Sequence, residues 1–189
     1  MVRASVTLRP ATDDDVAALV GLWADALRRG TPEQQAADVL QVLHQAAADP
    51  DSSVLVAELD GRVAGAVHLR ATTVSPVNLE PVVHAVAPHV HPDHRRRGVG
   101  TALMEAAVVF AEERQVGLVG AAAISASRDS NRFFARLSMG ARATLRIATT
   151  QSVRHRLVAL RPERAGHQGS RHLDRVLAAR RVRRGERVS

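Results

Sequence analysis

The chain has 189 residues, and 46% of them are hydrophobic, which is enough apolar material for one domain with a buried core. It contains no cysteine, so disulfides, thiolate metal sites and cysteine nucleophiles are excluded. Its formal net charge is +7, and every one of its 26 basic residues is an arginine. Because the sequence shows neither an apolar leader nor a run long enough to cross a bilayer, we expect a cytoplasmic protein.

The positive charge is concentrated toward the C-terminal end. Residues 161–189 hold nine arginines against three acidic residues, whereas residues 1–160 hold 17 against 16. We therefore divide the chain into a domain over 1–160 and an arginine-rich tail over 161–189, which is expected to be helical or disordered. The tail has no aromatic residue that could stack on bases, so nucleic acid is disfavoured as a partner except through this tail. No membrane partner is predicted.

Hydrophobic periodicity predicts helices and strands along the domain. The pair Thr31-Pro32 is a helix start signal, and Asp60-Gly61 between two apolar runs indicates a tight hairpin. Residues 153–160 are ambiguous. In chain order we predict a strand over 2–8, a helix over 12–30, a helix from Thr31, strands over 53–59 and 62–70, a loop over 72–81, a strand over 82–90, a helix over 99–114, a strand over 117–124, a helix over 130–137 and a strand over 141–149.

This order of elements predicts an α/β (α+β) fold. The hairpin-rich first half favours a mixed, mostly antiparallel central sheet flanked by helices, and the second half favours one β-α-β crossover. Pro88 lies inside a predicted strand, where a residue without an N–H donor is expected only at an edge or a bulge.

The most informative segment is the turn Arg95-x-x-Gly98-x-Gly100, which joins a strand ending at Val90 to an amphipathic helix. The backbone N–H groups of such a turn and the positive end of the helix dipole point at one position, which favours a bound phosphate. Glycine at positions 98 and 100 lets a diphosphate approach the backbone without meeting a Cβ. The pattern alone also occurs in ordinary strand–helix connections, so its place between a strand and a helix carries the interpretation.

With its flanking elements, the segment from His91 to Gly100 resembles the GCN5-related N-acetyltransferase (GNAT) superfamily. A second match, from Asn131 to Leu137, follows one strand later, where the family predicts it. The resemblance covers about residues 3–150. It implies a GNAT-like fold in which the β-α-β half binds acetyl-CoA as the co-substrate, without a metal.

The resemblance implies a role for each residue of the two motifs. The strand ending at Val90 would splay from the next strand and offer its main chain to the pantetheine arm. Asn131 would reach the co-substrate by a side-chain hydrogen bond, and Phe134 would lie near its sulfur. The pyrophosphate would be held by the backbone amides of Arg95, Arg96, Arg97, Gly98, Val99, Gly100 and Thr101.

The chain departs from the family at the general acid. Many members place a tyrosine at the position of Phe134, where it protonates the departing CoA thiolate, but this chain has no tyrosine. Because a thiol with a pKa of about 8.5 is a tolerable leaving group, the loss of that acid need not abolish transfer.

Histidines and one glutamate are the candidate general bases for the attacking amine. We name His84 and Glu80, on or near the strand over 82–90, and His68 on the preceding strand. A surface or structural role is the alternative for each of them. His89, His91 and His94 could ligate a metal, but they lie in the strand and turn that the resemblance gives to acetyl-CoA, so no metal site is predicted.

The sequence thus predicts an N-acetyltransferase that moves an acetyl group from acetyl-CoA to a primary amine by direct attack in a ternary complex. The amine belongs to a small molecule or a peptide, and a homodimer is left open. One alternative is a non-catalytic acyl-CoA-binding sensor or subunit with the same fold. Another is a nucleic-acid-associated protein that uses the tail.

Overall fold

The computed structural model describes residues 5–122, 128–143 and 145–160. These residues divide into two compact units, one up to Ala141 and one from Arg142. The first three residues of the predicted first strand, the last two of the strand over 117–124 and the whole tail over 161–189 lie outside the described residues. No helix in the described part of the chain is both long and apolar enough to span a bilayer.

The first unit is a five-stranded open sheet with helices on both faces. Its strands lie in the order β1-β2-β3-β4-β5, with antiparallel pairing from β1 to β4 and a parallel pair between β4 and β5. The fold class predicted from the sequence is therefore confirmed. The elements are β1 (Thr7–Pro10), α1 (Val16–Leu22), α2 (Pro32–Ala48), β2 (Ser52–Leu59), β3 (Arg62–Ser75), β4 (Asn78–Val90), α3 (Val99–Glu112), β5 (Val119–Ala122) and α4 (Arg128–Arg136).

Local sequence signals account for two of the sharpest boundaries. At the start of α2, the Gln34 N–H donates to Thr31 Oγ1 while the Gln34 side chain accepts from the Thr31 N–H, which completes a capping box with Pro32 at the first helical position. Between β2 and β3, Asp60 and Gly61 have φ values of 53° and 72°. These are the positive values that a two-residue type I′ hairpin turn requires, and the predicted hairpin is confirmed.

Each face of the sheet has its own hydrophobic core. One core lies under α1 and α2 and includes Leu19, Trp23, Val39, Val56 and Ala66. The other lies under α3, where the side chain of Leu103 and those of Val67 and Leu69 are fully buried. At Gly65 an added Cβ would lie 2.7 Å from Val99 and 2.8 Å from the His89 carbonyl oxygen, so only glycine lets α3 approach β3 this closely.

Three sequence predictions are wrong: one helix is shorter than predicted, one predicted loop is a hairpin, and one predicted strand is not found among the described residues. The helix predicted over 12–30 is shorter, because it begins as a 3₁₀ turn at Asp13–Asp15 and its α-helical part ends at Leu22. The residues that follow form turns in which the N–H groups of Ala26 and Leu27 donate to the Trp23 carbonyl oxygen, and Leu27 packs on the core. The predicted loop over 72–81 is instead a hairpin, in which the β-branched residues of β3 extend the ladder to a pair between Ser75 and Asn78. None of residues 141–143 and 145–149 lies in a strand.

The second unit contains one described helix, α5 (Thr150–Ala159). Thr149 caps it, because its Oγ1 accepts a hydrogen bond of 3.1 Å from the Ser152 N–H. The ambiguous segment over 153–160 is therefore largely helical. Val153, Leu157, Val158 and Leu160 are exposed on this unit.

Candidate functional site

A β-bulge interrupts β4 opposite β3. Ala66 pairs with His89 and His68 pairs with Val86, so the single residue Val67 faces both Ala87 and Pro88. Ala87 has a φ of 46°, and its carbonyl oxygen accepts a hydrogen bond of 2.9 Å from the Trp23 indole. The bulge lies at the proline, so of the two places that the sequence allows for Pro88, an edge or a bulge, the structure shows the bulge.

The end of β4 presents free main-chain groups on the side away from β3. The His91 N–H donates to the Ala64 carbonyl oxygen at 2.8 Å. Because successive residues of an antiparallel strand direct their polar groups to opposite sides, the N–H and C=O of Val90 point away from β3. β5 pairs with Val83–Val86 only, and among the described residues no strand pairs with 87–90 on that side. An extended ligand could add there like a further strand.

The segment after β4 turns sharply into α3. A 3₁₀ turn over Pro92–His94 is followed by Arg96 at a φ of 60° and by Gly98 at a φ of 86°, where glycine avoids the steric cost of a left-handed conformation. The first helical hydrogen bond runs from the Ala102 N–H to the Gly98 carbonyl oxygen at 3.0 Å. The N–H groups of Val99, Gly100 and Thr101 therefore lie ahead of it and face outward at the positive end of the helix dipole.

Three exposed arginines surround this helix start. Arg95 Nη1 lies 3.9 Å from Asp129 Oδ2 of α4, a loose contact between two exposed side chains. Within the described part of the chain, no carboxylate forms an ion pair with Arg96 or Arg97. The outward N–H groups, the helix dipole and the guanidinium groups give this end of α3, among the described residues, features that favour an anion. We call Arg95–Thr101 the anion cradle.

Helix α4 packs against the anion cradle. A Cβ added to Gly100 would lie 3.5 Å from the Phe133 ring and 3.6 Å from Val90, which are ordinary contact distances. At Gly100 the missing Cβ therefore points toward Phe133, and not toward the outward N–H groups. Phe133 and Phe134 stack at a tilt with ring centroids 5.5 Å apart, and both pack on the core under α3.

The second sequence motif thus lies beside the first. Asn131 and Phe134 are three residues apart on α4 and share a face of that helix. Phe133, which the sequence interpretation left without a role, makes the contact that joins α4 to the end of β4. Two adjacent phenylalanines in a chain with only three were the available signal for such a contact.

Two of the three candidate bases, His84 and Glu80, lie on β4 in different surroundings. His84 is half-buried opposite Gly120 of β5, and a Cβ on Gly120 would lie only 3.0 Å from His84 Nδ1. Glu80 is exposed near the end of the β3–β4 hairpin, where its N–H donates to Asn78 Oδ1 at 3.1 Å. Four strand residues span about 13 Å, so the backbone does not bring Glu80 to the place of His84.

Two further histidines face the same side of the sheet as His84. His68 Nε2 lies 2.8 Å from Ser52 Oγ, and burial, assisted by the charge of Arg70, lowers the pKa of His68. Burial also lowers the pKa of His89, and Arg95 adds to that effect.

His91 and His94 have ring centroids 5.6 Å apart in the turn after β4. Across the described residues, no three His, Asp or Glu side chains form a group that could hold a metal.

Comparison with known proteins relates this geometry to a family. The model of a family described as "Acetyltransferase (GNAT) family" matches residues 14–139. No curated protein sequence matches the chain significantly. Solved structures with a similar fold also exist, but their sequence identities to this chain are so low that the similarity shows only a shared fold.

Three of these structures are similar to most of the chain. One is a transcriptional regulator from Bacillus halodurans, with a TM-score of 0.64 and 21% identity over 77% of this chain and 100% of that one. Another is a ribosomal-protein-alanine N-acetyltransferase from Brucella melitensis, with a TM-score of 0.59 and 21% identity over 77% and 99%. The aminoglycoside N-acetyltransferase AAC(6')-Iy, solved in complex with CoA, has a TM-score of 0.63 and 17% identity over 78% and 96%.

Proposed function

Because the chain belongs to the Acetyltransferase (GNAT) family, whose members are acyltransferases, we propose that it transfers an acetyl group from acetyl-CoA to a primary amine. The amine nitrogen attacks the thioester carbonyl directly in a ternary complex. A new C–N bond forms, the C–S bond breaks, and CoA leaves as the thiolate while the amine loses a proton. Cytoplasmic location is part of the same proposal.

The observation that carries this proposal is the juxtaposition of a free strand edge with the anion cradle. Val90 directs its main-chain polar groups away from β3, and the outward N–H groups of α3 begin nine residues later. Acetyl-CoA has the matching chemistry, since an amide-containing pantetheine arm is attached to a pyrophosphate. We infer that the arm adds to β4 at Val90 and that the pyrophosphate accepts hydrogen bonds from the cradle. AAC(6')-Iy, which has this fold, binds CoA.

Side chains beside the cradle complete the proposed site. Asn131 is proposed to reach the co-substrate by a hydrogen bond, and Phe134 to lie near its sulfur. Arg95, Arg96 and Arg97 add positive charge around the pyrophosphate.

His84 is the proposed general base. It lies on β4 three residues before the bulge, and no described residue is hydrogen-bonded to its imidazole. A neutral imidazole with an accessible nitrogen can take the proton from an ammonium or from an intervening water. Glu80 is the second candidate, and its place at the end of the hairpin makes it the weaker one.

The missing tyrosine supports one alternative function. Phe134 has no hydroxyl, and the chain has no tyrosine that could take over as a general acid. In the proposed reaction the thiolate therefore leaves without an acid from this position and takes its proton from water. If that step is too slow for turnover, the same cleft would serve a non-catalytic acyl-CoA sensor or subunit.

Calorimetric titration with acetyl-CoA, followed by thiol detection with a panel of primary amines, tests the proposal. We expect saturable binding of acetyl-CoA and release of free CoA with at least one amine. Binding without thiol release across the panel would favour the non-catalytic alternative. The absence of any acetyl-CoA binding would overturn both.

A further inference from the structure

The side of the sheet that faces α1 and α2 leaves an open floor over β3 and β4. Ala66 belongs to the core under these helices, and strand alternation then places His68 and Arg70 on the same face. Pairing with β4 adds Val86 opposite His68 and His84 opposite Arg70. We call His68, Arg70, His84 and Val86 the β3–β4 floor.

The β3–β4 floor is accessible, in contrast to the opposite face of the same strands. On the α3 side, Val83 and Ala85 are completely buried. On the floor side, His84 and Val86 are only half-buried and Arg70 is exposed. A group bound on this floor would lie alongside the bulge at Ala87 and Pro88, next to the free edge proposed for the pantetheine arm.

The charge of the floor is positive and uncompensated. Within the described residues, Arg70 has no ion pair and no side-chain hydrogen bond, although its charge reaches His68. The carboxylates whose charge reaches the histidines of this face are Asp49, which acts on His68, and Asp25, which acts on His89. Neither is paired with Arg70. An exposed guanidinium whose donors are free of side-chain partners is suited to a carboxylate or a phosphate.

We propose that Arg70 binds an anionic group of the amine acceptor, so that the preferred substrates are small amines that carry a carboxylate or a phosphate. This inference rests on the proposed function, since it assigns the acceptor side of the same cleft. Arg70 pairs with His84, and His84 precedes the bulge by three residues of β4. Three residues of extended strand span about 10 Å, so Arg70 lies about that far along the sheet from the bulge. The anionic group is therefore separated from the reacting nitrogen by several bonds, and polycationic acceptors are disfavoured by charge repulsion.

Matched pairs of amines test this assignment with the full-length protein. Aminohexanoate and aminohexanamide differ by one carboxylate, phosphoethanolamine and ethanolamine differ by one phosphate, and diaminohexane supplies a second positive charge. Steady-state thiol release gives kcat and KM for each, and calorimetric titration into the CoA complex gives affinity without turnover. We expect the anionic member of at least one pair to bind about tenfold more tightly than its neutral partner. The pair that shows the preference distinguishes a carboxylate from a phosphate ligand.

Arg70→Gln separates this residue from the general charge of the protein. We expect the variant to lose the anionic preference through a higher KM or Kd for the anionic amine, with kcat, the values for neutral amines and acetyl-CoA affinity unchanged. Arg70→Lys should restore part of it. Arg62→Gln is the control, because Arg62 is an exposed arginine on the same strand but outside the floor.

The outcomes separate this inference from the proposed function. One outcome is that no amine releases thiol, although anionic amines bind the CoA complex and this binding depends on Arg70. That result would contradict the proposed acetyl transfer and support the anion-binding role of Arg70. If amines react but neutral and anionic members are equal in KM and in affinity, the inference is overturned and the proposed function stands. A preference that survives in Arg70→Gln also overturns it.

Discussion

The indole Nε1 of Trp23 donates a hydrogen bond of 2.9 Å to the carbonyl oxygen of Ala87, which links the end of α1 to the bulge of β4. Trp23 is 6% exposed and belongs to the core under α1 and α2. The bond gives a partner to a carbonyl that the bulge removes from the regular ladder. The shape of the strand beside the proposed thioester position is thus determined in part by a side chain that is 64 residues distant in sequence.

Trp23→Phe should lower both the stability of the protein and the kcat of the proposed reaction, and the loss of kcat should exceed that of a variant with the same loss of stability. The variant keeps an aromatic ring but leaves the Ala87 carbonyl without its donor, so we expect a loss of about 1–3 kcal/mol in the free energy of unfolding. We also expect a lower kcat, because the bulge positions the end of β4. Urea unfolding and thiol-release kinetics measure the two effects.

Val39→Ala is the matched control for this variant. Val39 is buried in the same core, on α2, and its apolar side chain forms no hydrogen bond to the bulge. It should lose similar or greater stability while kcat stays that of the wild type at a temperature where both variants are folded. Equal kcat losses in the two variants would show that Trp23 acts through stability alone.

His84→Gln tests the proposed base. Loss of general base assistance should lower kcat about 10²–10⁴-fold while acetyl-CoA affinity stays unchanged. Glu80→Gln, measured in parallel, should have a much smaller effect because Glu80 is exposed at the end of the hairpin. His44→Gln, at an exposed histidine of α2, is the control. Full activity in His84→Gln together with a large loss in Glu80→Gln would reverse the assignment.

Gly98→Ala tests the anion cradle. The φ of 86° at Gly98 disfavours any residue with a Cβ, although the position has free space around it. We expect a loss of about 1–2 kcal/mol in stability from the left-handed conformation. Acetyl-CoA affinity should fall at least tenfold if the backbone relaxes and turns its N–H groups away. Gly117→Ala, at an exposed glycine with no contact and no positive φ, should change neither quantity. Unchanged acetyl-CoA affinity in Gly98→Ala would contradict the role of the cradle.

Asp15 should make the stability of the domain depend on acid pH. Arg9 donates two hydrogen bonds to the Asp15 carboxylate, at 2.7 and 2.8 Å, and these bonds lower the pKa of Asp15. Because the folded pKa lies below the unfolded value of about 3.9, this contribution is complete above pH 4 and is lost as the pH falls through the folded pKa.

Asp15→Asn measures this contribution directly. The variant should lose about 1–3 kcal/mol near neutral pH, and its difference from the wild type should shrink in strongly acidic solution. Urea unfolding at both pH values is the measurement. Asp13→Asn, at an exposed carboxylate that pairs with His44, should cost less than about 0.5 kcal/mol. A deficit for Asp15→Asn that is the same at both pH values would show that shape, and not charge, explains the loss.

Sequence patterns predicted the fold wherever the signal was local. The capping box at Thr31 and the Asp60-Gly61 turn act within four residues, so each could be recognised without tertiary context. The prediction was wrong where packing overrides propensity. The polar appearance of residues 72–81 indicated a loop, but pairing between two neighbouring strands extends the hairpin to Ser75 and Asn78. Residues 141–149 have a strand-like pattern, but no described neighbour supplies a ladder for 141–143 or 145–149.

The sequence by itself determined the glycine turn in front of α3, because a glycine tolerates the positive φ at position 98 and a helix start leaves its first N–H groups without helical partners. It also determined that no tyrosine hydroxyl is available. Only the tertiary structure decided which side chains lie next to one another at the proposed site. Sheet register placed His84 opposite Arg70 and Gly120, and packing placed Trp23 on the bulge and Phe133 against Gly100. These contacts join residues that are distant in the chain. A local sequence pattern carries no information about which distant strand or helix will pack against it.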